Sequence, residues 1–155
     1  MPYSRLQPKT ERWIAAVGLI MVVAAFLVFQ LLAEQTGGWV FIFAFPAGIA
    51  GVNLIVCVAP AWLIAAHLVP SRPLVAALVS LLTATAIYLA LASFVMPLML
   101  SGNPERAFVS LVFSIESRMR QPFGTASSFF LQDIAFLVST LPAIALATLF
   151  AKLKS

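Results

Sequence analysis

Charged residues are scarce in this sequence, which contains 155 residues of which only 9% are charged. A soluble domain usually carries about 25% charged residues and about 45–50% apolar ones. Here 63% of the residues are hydrophobic, and long stretches carry no charge at all. This excludes an ordinary soluble protein. At this length there is also no room for a separate soluble module, so we expect one membrane domain over residues 1–155.

Side chains that do chemistry are scarce as well, since the chain has one histidine, His67, and one cysteine, Cys57. A single histidine excludes a bis-histidine haem within one chain, and no Cys/His cluster is present to ligate a metal. One cysteine cannot form a disulfide within the chain. There is no glycine-rich phosphate loop and no nucleophile elbow. We therefore predict no catalytic residue, no metal site and no enzymatic activity.

Long apolar runs, in contrast, are abundant, and four of them are long enough to cross a hydrocarbon core about 30 Å thick. They predict helices at about 13–33, 46–66, 74–100 and 126–151. Their hydrophobicity is uniform rather than alternating, which favours helices over a closed barrel. The first run is too long for a signal-peptide core and has no clean cleavage site after it, so we expect it to be retained. The fold class is predicted as an all-α integral membrane protein with a four-transmembrane-helix bundle.

The basic residues predict how the chain is threaded. Three lie in the outer loop and the other six lie at the opposite ends of the spans. Cytoplasmic loops carry an excess of Lys and Arg. We therefore predict a multi-pass protein of the plasma membrane, the bacterial inner membrane, with both termini cytoplasmic. The basic residues are scattered over both sides, so no nucleic-acid partner is expected. The six on the cytoplasmic side are Arg5, Lys9, Arg12, Arg72, Lys152 and Lys154.

The outer loop, residues 101–125, carries its own helix signals. Asn103 can cap a helix, Pro104 suits its first position, and Glu105 complements the positive N-terminus. The pattern predicts an extracytoplasmic interfacial helix between helices 3 and 4. Two roles stay open: a helix lying on the outer leaflet, or an element that docks a partner or covers an opening between helices. The residues of this candidate docking face recur at helical spacing and are Phe108, Leu111, Val112, Ile115 and Met119.

The second span contains small residues at positions that favour close helix packing. The segment "AFPAGIAGVN" places Ala44 four residues before Gly48 and Ala47 four residues before Gly51. Small residues at this spacing let membrane helices approach closely. We expect Gly48→Leu and Gly51→Leu to disturb folding or assembly. Asn53 follows them, and its amide needs a hydrogen-bond partner, either on a neighbouring helix or on a ligand or ion.

Asp133 stands at the head of the last apolar run, and two interpretations of it remain open. The run after Asp133 is nearly long enough to span the core, so the carboxylate can lie at the outer rim and pair with Arg118 or Arg120. If the helix instead begins near residue 126, the carboxylate lies about 10 Å deep. A buried acid within a membrane is a functional candidate for ion or proton exchange.

These features suggest two classes of function. The first is a small, non-enzymatic structural or accessory subunit of a larger integral-membrane complex. The alternative is a small homo-oligomeric transporter or channel that uses Asp133. The expected partners are the lipid bilayer and other integral-membrane subunits or further copies of the chain. No cofactor is predicted; grooves on such a bundle are compatible with bound lipid, quinone or pigment, but no residue pattern requires one.

Overall fold

The computed structural model describes residues 9–36, 38–120 and 130–153, and within them the chain is helical with no strand. Four helices are long and apolar enough to cross a membrane. The all-helical prediction is therefore confirmed for the described residues, and the four candidate spans fit a multi-pass membrane protein. The helices are α1 (Thr10–Leu32), α2 (Phe41–Leu68), α3 (Pro73–Ser101), α4 (Pro104–Arg120) and α5 (Phe130–Leu153).

Helix α2 begins five residues earlier than the sequence predicts, at Phe41. Pro46 therefore lies inside the helix and not in its first turn. A proline deprives one carbonyl, here that of Ile42, of its helical donor. The aromatic residues before Pro46 nevertheless become helical, because a helix satisfies backbone groups that lipid leaves unpaired.

Helices α2 and α3 each contain one π-helical turn, at Leu54–Val58 and Leu91–Val95. In each case a proline follows two residues later, Pro60 in α2 and Pro97 in α3. Proline cannot donate to the carbonyl four residues earlier, and a local π turn lets the helix pass this point without ending. The two helices thereby reach 28 and 29 residues, longer than a 30 Å core requires.

The interior forms where α2, α3 and α5 meet, with α1 packed along α2. Only Ile14 and Gly18 of α1 are buried, so this helix is held by one narrow face. Most other core positions are alanines, which allow close approach between helices. One cluster of buried apolar residues comprises Ile14, Leu54, Val58, Ala59, Trp62, Ala65, Ala66, Ala76, Ile144 and Ala147. A second comprises Cys57, Ala61, Ala84, Tyr88 and Phe136.

Candidate functional site

Asp133 contacts a buried tyrosine of α3. The Tyr88 hydroxyl donates to Oδ1 of Asp133 at 2.5 Å. The Tyr88 ring is 7% exposed and stacks on Phe136, with ring centroids 4.3 Å apart and an interplanar angle of 14°. A buried phenol needs a hydrogen-bond partner, and the first turn of α5 favours a carboxylate at this position. Asp133 therefore joins α5 to α3 through the phenol.

Arg118 and Arg120 are the predicted ion-pair partners of Asp133. Nη2 of Arg120 lies 2.7 Å from Oε1 of Glu116, one turn earlier in α4. The side chain of Arg118 lies outside the described residues, so the rim ion pair stays a prediction.

Sequence reasoning missed Tyr88, which lies 45 residues before Asp133. The available signal was a phenol inside an apolar run, which needs an acceptor.

The closest approach of α1 and α2 occurs at two glycines. A Cβ built on Gly51 would lie 2.6 Å from the carbonyl oxygen of Gly18, and one on Gly18 would lie 2.6 Å from that of Gly51. Real Cβ atoms essentially never come so close, so the crossing requires glycine at both positions. Gly48 differs, because a Cβ there would meet only Cβ of Ala25, at 3.8 Å. The sequence pattern singled out Gly51 and missed Gly18, the one glycine of the first apolar run.

The other predicted packing residues surround this crossing. Ala44 is buried and Ala47 is half-buried on α2. Asn53 is 7% exposed, and its Nδ2 atom has no hydrogen-bond partner among the described residues. An open groove of about 410 Å³ runs between α1 and α2 and reaches Asn53. Its lining residues are Val22, Ala25, Phe26, Phe29, Phe41, Ala44, Phe45, Gly48, Ile49, Val52 and Asn53.

Helix α4 folds back along the end of α3. Gly102, with φ +62°, ends α3, and Oδ1 of Asn103 then accepts the backbone N–H of Glu105 at 2.9 Å. The Asn103 cap is thus confirmed. Oγ of Ser93 in α3 and Oγ of Ser114 in α4 are 2.7 Å apart, and both residues are buried.

This packing leaves the candidate docking face of α4 on the outside of the molecule. Ala107 and Ser114 are fully buried against α3, whereas Leu111 is half-buried at the edge of the docking face. The four remaining residues of that face are exposed: Phe108, Val112, Ile115 and Met119. The structure shows that α4 packs on the end of α3, and it does not confirm an interfacial position of the helix.

A matched pair of serines tests the α3–α4 contact. Ser80 of α3 is as buried as Ser93, but its Oγ has no hydrogen-bond partner in the described part of the chain. Ser93→Ala should therefore lower the free energy of unfolding by about 0.6 kcal/mol, the average for an interhelical hydrogen bond in a membrane. Ser80→Ala should leave it unchanged. Denaturant unfolding in mixed micelles, followed by circular dichroism, measures both; equal losses would show that the serine pair does not hold α4.

Within the described ranges, no three His, Cys, Asp or Glu side chains come together as a group that could hold a metal ion. Comparisons with protein-family models, with curated proteins and with solved structures found no match to this chain.

Proposed function

We propose that this chain is a small, non-enzymatic accessory subunit of a larger integral-membrane complex. The observation that supports this proposal is the docking face of α4, defined by Phe108, Leu111, Val112, Ile115 and Met119. Helix α4 has 17 residues and is not one of the four candidate spans, yet it carries a row of exposed apolar side chains. Contiguous exposed apolar surface of this kind marks contact with a partner or with a membrane.

The way α4 is attached favours a partner over lipid alone. Its small residues, Ala107 and Ser114, pack on α3 and fix which side faces outward. Charged residues flank the docking face, including the exposed Glu116–Arg120 pair. A fixed helix with an apolar centre and a charged margin resembles the apolar core and polar rim of protein interfaces. The chain's remaining surface needs only lipid or neighbouring spans to cover it.

The alternative, a homo-oligomeric transporter or channel, is favoured by one observation. The Asp133 carboxylate lies within a helix long and apolar enough to span a membrane, and it touches a second such helix through Tyr88. An ionisable group in that setting is a candidate for ion or proton exchange. Its bond to a phenol gives it a structural role in the present arrangement, which is why we rank this function second.

We further propose that the protein lies in the bacterial inner membrane with both termini cytoplasmic. The support is the excess of Lys and Arg at that end of the four spans, six residues against three. In this orientation α4 and Asp133 lie toward the outer side.

Purification of the native chain from its own membranes in a mild detergent tests the accessory role. We expect other integral-membrane proteins to co-purify in fixed ratio, as measured by mass spectrometry. The paired variant Phe108→Ala/Met119→Ala, at side chains 60% and 79% exposed, should lose them. The control Leu78→Ala/Leu82→Ala, at side chains of α3 that are 57% and 63% exposed, should retain them. A chain that purifies alone or only with copies of itself would contradict the proposal.

A further inference from the structure

The groove between α1 and α2 has the size and lining of a small-molecule site. Its volume is about 410 Å³, and sites for small ligands are clefts of about 300–1,000 Å³ with mostly apolar walls and few polar groups. Four phenylalanines line it, Phe26 and Phe29 from α1 and Phe41 and Phe45 from α2. The Phe29 and Phe41 rings meet edge to face at 6.0 Å, and Phe41 stacks on Phe45 at 4.8 Å. The end of the groove near Phe41 is therefore aromatic.

The single strongly polar side chain in the lining is Asn53, at the opposite end. It lies 12 residues beyond Phe41 along α2, about 18 Å of helix, and is 7% exposed. Its Nδ2 atom is itself enclosed and has no hydrogen-bond partner among the described residues, so it meets a ligand in the groove once the amide turns toward the groove. An amide left unpaired in an apolar interior is costly, so a donor in this position favours a ligand that brings an acceptor oxygen.

We propose that this groove binds a lipid-soluble molecule with a planar ring that bears a carbonyl oxygen, the chemistry of a quinone, and that Asn53 donates to that oxygen. The phenylalanines supply faces and edges for the ring and its apolar tail. The amide supplies the one directional contact that fixes orientation. This inference stands apart from the accessory role, because it rests on α1 and α2 and not on α4.

Two other occupants fit these observations less well. An ordinary acyl chain fills an apolar groove but carries no oxygen at the depth of Asn53. A second copy related by a two-fold axis at the groove would bring the same concave surface, and two concave faces do not pack without a void. A spanning helix of a partner protein is the remaining competitor, and the experiment separates it from a small molecule.

The experiment uses the full chain in phosphatidylcholine nanodiscs with two additives of equal tail length, a decyl-substituted benzoquinone and decylbenzene. A bound ligand raises the thermal unfolding midpoint, which circular dichroism measures. We expect the quinone to raise the wild-type midpoint by about 2–4 °C more than decylbenzene does. Asn53→Leu should abolish this difference, because the leucine cannot donate to the carbonyl.

Filling the groove provides a second, independent readout. Gly48→Leu places a side chain in the groove at a position where Cβ itself has room, 3.8 Å from Ala25. Gly48→Leu should remove the rise in the unfolding midpoint with both additives. If Gly48→Leu does not fold, Ala25→Leu fills the same groove from α1. Equal shifts from both additives in the wild type, no shift at all, or a quinone response that survives a filled groove would each overturn the proposal. The proposal would also be overturned if a partner protein co-purified with the wild type but not with Gly48→Leu, and if the quinone left the unfolding midpoint of the isolated wild-type chain unchanged.

Discussion

Gly51→Ala is expected to lose most of its folded protein, whereas Gly48→Ala, three residues earlier on the same helix, should behave like the wild type. The added Cβ at position 51 would lie 2.6 Å from the Gly18 carbonyl oxygen and 3.0 Å from the Val22 backbone nitrogen. Both are backbone atoms, which no rotamer change can move, so α1 must separate from α2. Overpacking a core typically costs about 1–3 kcal/mol, and α1 has few other buried residues to hold it.

The two alanine variants form a matched pair, since each adds one methyl group to the same helix. Fluorescence-detected size exclusion and denaturant unfolding measure the yield and stability of the two. Gly18→Ala should reproduce the Gly51→Ala defect from the other side of the contact. Equal yield and stability for the variants at positions 48 and 51 would show that the crossing is looser than the structure indicates. This result also refines the sequence-based expectation, which treated Gly48 and Gly51 alike.

The spanning helices could be predicted from sequence because they depend on local composition. A charge-free run of sufficient length must become helical in lipid wherever its contacts lie. The start of α2 was predicted five residues too late, because proline is common in the first turn of a helix and Pro46 was placed there. In the structure the helix begins at Phe41. The π turns before Pro60 and Pro97 let α2 and α3 continue past each proline. A hydropathy pattern does not predict π turns.

The contacts between helices could be predicted only in part. Small-residue spacing identified Gly51, but the identity of its partner, Gly18, depends on the crossing of α1 with α2. The cap at Asn103 is local and was predictable, whereas the position of α4 depends on the Ser93–Ser114 contact. Asp133 was recognised as unusual from its isolation in an apolar run. Its partner, Tyr88, follows from the antiparallel packing of α3 and α5, which one sequence does not reveal.

The side chain at position 133 should decide between the two candidate functions. Asp133→Leu removes the carboxylate that accepts from the Tyr88 hydroxyl, and Tyr88 is only 7% exposed. We expect a loss of about 1–3 kcal/mol in the free energy of unfolding, the cost of depriving a buried polar group of its partner. Tyr88→Phe in the same chain should recover part of this loss, since replacing both partners by apolar groups can be nearly neutral. Losses that simply add would show that the two side chains are not coupled.

Asp133→Asn separates structure from function at the same position, because asparagine keeps an oxygen that accepts from Tyr88 but cannot exchange a proton. If the chain is an accessory subunit, this variant should fold, retain its co-purifying partners and leave any measurable function within a few-fold of the wild type. Proteoliposomes that contain the wild type or one of the two variants at position 133, loaded with a pH-sensitive dye, report the proton flux of each. Under the accessory proposal the fluxes are equal and small, whatever the stability of Asp133→Leu. A wild-type flux that Asp133→Asn abolishes, with unfolding unchanged, would reverse the order of the two proposals, because only an exchanging carboxylate makes the loss of one ionisable oxygen so costly.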